Sequence, residues 1–152
     1  MASNGPNYTA VLAIKSYIDS NLETYVQQFG QGLTAPESVM GERNAFGLSK
    51  YPAVMFVPGP VYPYFSGNYG YEAELEIYLG IAVTDAKPAT LVEKLWHYID
   101  AAVKLVMADS TLGGTCLGAE VDDVEPIYGD PQAKNVGLAI LTMRATVETQ
   151  LT

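Results

Sequence analysis

The chain has 152 residues, enough for one domain that buries roughly 70% of the surface its unfolded form exposes and needs no covalent staple. Seventeen acids against eight bases give a net charge of −9, which disfavours tight binding to phosphate backbones, because that affinity comes from Lys and Arg. A single cysteine, Cys116, and a single histidine, His97, exclude an internal disulfide and a Cys-rich or His-rich metal site.

No apolar run reaches membrane-spanning length; the best, Leu75 to Val83, is a strand's worth. The opening Met1 to Asn7 has no basic or apolar signal region, so a soluble chain in a reducing compartment is expected. Asn7 is placed as the N-cap of a first helix. Val11, Ile14, Tyr17, Ile18, Leu22, Tyr25, Val26 and Phe29 recur at spacings of three and four as one apolar stripe. Lys15, Asp19 and Glu23 repeat at i+4 on a solvated face, and Gly30 and Gly32 end the helix. From Leu33 to Lys50 the periodicity is weak, which reads as a loop or a poorly paired strand.

Pro52 to Val57 is a short buried strand, and Pro58-Gly59-Pro60 is expected to stop it, because proline has no N–H for a central ladder. A loop rich in Tyr, Pro and Gly then spans 58–71. The next twelve residues alternate cleanly: Ala73, Leu75, Ile77, Leu79, Ile81 and Val83 point one way, and Glu72, Glu74 and Glu76 begin the other face. That period of two predicts a long strand with one side on a core. Pro88 opens a second helix, whose stripe is Leu91, Leu95, Tyr98, Ile99, Ala102 and Val106, and Gly113-Gly114 closes it. An acidic strand from Gly118 to Tyr128 and a turn at Gly129-Asp130-Pro131 follow. The last strand, Val136 to Thr149, is apolar on both faces in its first half and is therefore central.

The order α-β-β-α-β-β predicts an α+β fold: a two-layer sandwich with two helices on one face of a mostly antiparallel four-stranded sheet, all within one domain, 1–152.

Few residues invite a chemical role. Glu72, Glu74 and Glu76 lie about 7 Å apart along one strand face. Hard cations want ligands converging from several directions, so the row reads as a solvated face or as an acidic wall. Glu120, Asp122, Asp123 and Glu125 extend the wall option. Tyr62, Tyr64, Phe65, Tyr69 and Tyr71 give a loop with interface chemistry, or one folded back on the sheet; without interleaved Lys or Arg it is a poor base-stacking platform. His97 and Asp100 have no Gly-x-Ser-x-Gly elbow to serve, and Cys116 reads as a small packing residue. Gly30-Gln31-Gly32 lacks the third glycine and preceding strand of a dinucleotide fingerprint. No catalytic residue, cofactor or metal is therefore expected, and the chain is not read as an enzyme. A small ferredoxin-like ligand-binding domain stays open beside a structural role; a concave pocket with convergent polar groups would favour it.

Two pieces together carry a resemblance. One is Tyr51-Pro52-Ala53-Val54-Met55-Phe56-Val57-Pro58-Gly59. The other is the helix end Ala108-Asp109-Ser110-Thr111-Leu112-Gly113-Gly114, leading into Val121 to Tyr128 and then Gly137 to Val147. With the N-terminal helix, this plan over residues 7–149 resembles the tail terminator (tail completion) proteins of long-tailed bacteriophages. The 58–71 loop has no match in that plan. The resemblance implies a virion protein at the head-proximal end of the tail, assembled in the host cytoplasm. It implies a homohexameric ring that caps the tail tube protein, ends its polymerisation and joins the head connector or neck protein. DNA would pass through without specific binding, and no membrane is involved. Small neck proteins share these shapes, so a head-side stopper is the nearest alternative. A closed ring needs two different patches on each subunit, and the 58–71 loop and the strand Glu120 to Tyr128 are natural suppliers. Inward-facing acids would give a negative lumen.

Overall fold

The computed structural model describes residues 5–30, 32–34, 36–41, 48, 50–65, 70–129 and 135–150; at 64, 65, 70, 71, 149 and 150 only the backbone is described. Helix α1 (Pro6–Phe29) opens with Gly5 as N-cap and Pro6 in its first turn. Proline's fixed φ suits that position and its missing N–H has no partner to lose there. Asn7, the expected cap, therefore lies inside the helix, two residues past the observed one. Val11, Ile14, Ile18, Leu22 and Val26 form the buried stripe. Gly30 ends the helix, its N–H donating to the Val26 carbonyl.

Strands β1 (Glu37–Met40), β2 (Ala53–Phe65) and β3 (Gly70–Thr84) follow, then helix α2 (Pro88–Ala108), then β4 (Gly118–Tyr128) and β5 (Val136–Gln150). They form one five-stranded sheet in the order β1-β2-β3-β5-β4. The expected α+β plan holds, with one strand more than the four expected. The addition, β1, runs parallel to β2 with Glu37 opposite Ala53 and Met40 opposite Phe56. It is four residues long and only partly buried, too short for its periodicity to register. The other pairings are antiparallel. The long last strand is central, as expected, between β3 and β4.

A second correction concerns Pro58-Gly59-Pro60. The strand does not stop there. It shifts register between Pro58 and Val61 and continues, pairing with β3 as far as Phe65 opposite Tyr71. The reason is position in the sheet. β1 covers β2 only over 53–56, so beyond Phe56 this strand is an edge among the described residues, and an edge tolerates proline. The expected loop over 58–71 is thus mostly a β-hairpin, with 66–69 outside the described residues.

Both helices lie over one face of the sheet. Their stripes meet Val54, Phe56, Leu75, Ile77, Leu79, Ile81, Leu141 and Met143 in the main core. Tyr98 is 1% exposed, and its hydroxyl donates to the Thr34 carbonyl at 2.8 Å. A smaller cluster of Met55, Ala82 and Leu138 sits on the opposite face, with Val39, Leu48, Tyr51, Ile127 and Ile140 packed around it. That cluster covers the outer side of the first half of β5, which accounts for the apolar residues on both its faces.

The turn after α2 is built by one carboxylate. Asp109 accepts from the Thr111 N–H at 3.0 Å, the Thr111 hydroxyl at 2.7 Å and the Gly113 N–H at 3.0 Å. Leu112, Gly113 and Gly114 then take positive φ values of 49°, 70° and 82°. Leu112 accepts that conformation while fully buried, so packing outweighs the backbone cost. Gly113 has a second reason to lack a side chain: a Cβ there would stand 2.7 Å from the Tyr17 ring.

Candidate functional site

The period of two in β3 fixes which side chains leave the core. Ala73, Leu75 and Ile77 are buried against the helices, so Glu72, Glu74 and Glu76 emerge on the opposite face. Pairing register then decides their neighbours. Glu76 lies opposite Arg144 on β5, and Arg144 lies opposite Glu120 on β4. The β4 ladder is irregular between Val121 and Asp123, and the extra residue, Asp122, reaches Arg144 at 2.6 Å. Arg144 also meets Glu74 at 3.3 Å. Asp122 and then Glu74 push the guanidinium further above its already high pKa. Asp123 pairs with Thr142 and Glu125 with Ile140, so both belong to the same face by register.

All seven acids singled out in the sequence are therefore brought to one sheet face. Glu148 joins them, directly opposite Glu72. Like charges across a strand pair are destabilising. Sequence reading missed Glu148, which follows from the alternation Thr142, Arg144, Thr146, Glu148 along β5, and the role of Arg144, which depends on how β5 pairs with β3 and β4. Among the described residues, Arg144 is the one base in these pairings, set against eight carboxylates. At its other end this face passes into the Met55, Ala82 and Leu138 cluster, so charge and apolar surface are segregated along it.

The tyrosines divide. Tyr62 is 50% exposed on the same outer face, opposite Glu74, and its hydroxyl stands 3.4 Å from a Glu76 carboxylate oxygen. Tyr64, Phe65 and Tyr71 lie in the hairpin backbone with side chains outside the described atoms, and Tyr69 lies outside the described residues. Tyr78, next along β3, has its hydroxyl pushed above the usual tyrosine range by burial and by the neighbouring Glu76.

His97 is a rim residue. Its Nε2 is 3.4 Å from Glu93, one turn earlier, and Asp100 stands exposed. Cys116 is 8% exposed, its Sγ stands 3.5 Å from the Ser110 carbonyl oxygen, and burial pushes the thiol pKa up, away from reactivity. Open depressions mark the surface formed by the described residues. One, of about 400 Å³, includes Glu74, Glu120 and Arg144 in its wall; another, of about 370 Å³, includes Glu93, Lys94 and His97. In the first, the guanidinium is already engaged by two carboxylates. No group of three or more His, Cys, Asp or Glu among the described residues is arranged to hold a metal ion. No helix among them is long and apolar enough to cross a membrane.

No family model matches the chain, and no curated protein matches it. Among solved structures, a chain of the "Virion of native gene transfer agent (GTA) particle" is similar at a TM-score of 0.49 and 14% sequence identity, over 91% of this chain and 94% of that one. A likeness this distant carries no information about what the present chain binds or assembles with.

Proposed function

We propose that the protein is a structural component of a phage-like virion: a ring that caps the tail tube, ends its growth and provides the joint to the head connector. The observation that supports this reading is the acidic sheet face. Eight carboxylates share it with Arg144, and a like-charged pair, Glu72 and Glu148, is kept directly across the ladder. Such a face repeated around a ring repels a phosphate backbone at every step, so DNA can slide past without sticking. The resemblance of the chain's plan to tail terminators supplies the particular place in the tail.

Reversing Glu72, Glu74 and Glu76 together to Lys tests the electrostatic part. Particles carrying the triple variant should assemble and then deliver DNA poorly, since six copies would line the passage with phosphate-binding charge. Normal assembly with undiminished genome passage would show that these residues do not line a working pore.

A further inference from the structure

Arg144 carries the opposite sign to the carboxylates around it. Register sets it across from Glu76 on β3 and Glu120 on β4. Its side chain is 49% exposed, and with Glu74 and Glu120 it walls the open depression of about 400 Å³, so burial does not keep solutes from it. A guanidinium is also the side chain best suited to a phosphate, which it grips through two parallel N–H donors. A cation in this position is a liability for a surface that lets DNA slide. Each phosphate contact adds affinity, and a ring repeats the contact in every subunit.

The partners of Arg144 remove that liability. Asp122 meets Nε at 2.6 Å, and Glu74 meets Nη1 at 3.3 Å. A guanidinium offers an oxyanion two forks, Nε with Nη2 along its side and Nη1 with Nη2 at its end. Each fork has one nitrogen already engaged, so a phosphate binds in bidentate fashion only by displacing a carboxylate. Glu74 comes from β3 and Asp122 from β4, the strands on either side of β5, so the guanidinium is held from both directions. A regular ladder does not deliver Asp122. Val121 pairs with Met143 and Asp123 with Thr142, which leaves Asp122 as the extra residue of β4. Such an irregularity re-aims a side chain, and here it supplies the shortest contact that Arg144 makes to a carboxylate.

We infer that Asp122 and Glu74 are positioning residues that hold Arg144 back from phosphate, so that this cation does not catch DNA sliding over the acidic face. This rests on the ring reading and gives the irregularity in β4 a task.

The test removes charge from the face in two ways. Asp122→Asn with Glu74→Gln opens the clamp. Glu72→Gln with Glu148→Gln removes as many carboxylates from the same face and leaves the clamp in place. Phenylglyoxal modifies guanidinium groups, and its rate at Arg144 is read by peptide mass on the full chain, with and without a short DNA duplex. At about 0.1 M salt a screening length of about 10 Å mutes distant acids. Opening the clamp should raise the rate on the order of fivefold over the native chain, which is within what two exposed ion pairs can impose. Saturating DNA should cancel that gain, because phosphate now occupies the freed forks. The native chain and the Glu72, Glu148 variant should react slowly and ignore DNA. Asp122→Asn alone frees the Nε fork and should give the same pattern in smaller measure, and circular dichroism confirms that each variant is folded. Equal rates in all the chains, an equal rise in both double variants, or a rise that DNA does not cancel each overturns the inference. A merely structural role for the ion pairs would not create protection by DNA. Tails of normal length in particles lacking the protein would sink the ring reading and leave these rates untouched, so the two failures are distinguishable.

Discussion

Asp109 shows how one side chain sets a local structure and a pH response. Its hydrogen bonds, first to the Thr111 hydroxyl and then to the Gly113 and Thr111 amides, hold its pKa below the usual carboxylate value. A depressed folded-state pKa contributes stability above the unfolded value, and that stability is lost as pH falls through the folded one. Thermal melts of Asp109→Asn should therefore lose part of the native chain's acid sensitivity below about pH 4, the unfolded carboxylate range. Identical pH profiles for the two chains would contradict this role. Gly113→Ala should destabilise by about 1–2 kcal/mol from its positive φ alone, and by more if the Tyr17 ring must move. The same substitution at Gly114, where a Cβ meets nothing, incurs only the backbone cost, so comparing the two melts separates conformation from contact. Tyr98→Phe removes a buried donor from the Thr34 carbonyl and should lower stability by about 1 kcal/mol in denaturant titrations.

Strand β3 is where sequence and structure agree most closely. Its alternation was legible because one face is fully committed to the core while the other opens with three carboxylates, and Ile77→Ala should destabilise by about 2–5 kcal/mol. Strand β1 was not legible: four partly buried residues give no period, and its pairing depends on β2 lying alongside. Pro58-Gly59-Pro60 was misread because proline stops a strand only where a neighbour needs its N–H, and the sequence does not say that β1 ends at Met40. The Asn7 cap failed for a similar local reason, Pro6 being able to open the helix two residues earlier. The acids of the candidate face were legible as a list. Their convergence on Arg144 was not, since it depends on the β5 register and on the extra residue in β4. Arg144→Gln removes the cation shared by Glu74 and Asp122 and leaves the face more negative. The melting temperature of that variant should therefore rise more steeply with salt than that of the native chain, because added ions screen the carboxylates. Parallel salt curves would mean that the guanidinium does not balance the face.

The whole molecule is a two-layer sandwich with distinct surfaces. The helices close the core, and the acidic face looks the other way. In the proposed ring, the acidic face meets the passing genome. A cap at the end of a tube makes a sharp demand, because without it polymerisation has no stop. Electron microscopy of particles produced without the protein therefore tests the central claim most directly. The account predicts tails of excessive and variable length, unjoined to filled heads. Tails of normal length joined to filled heads would contradict it.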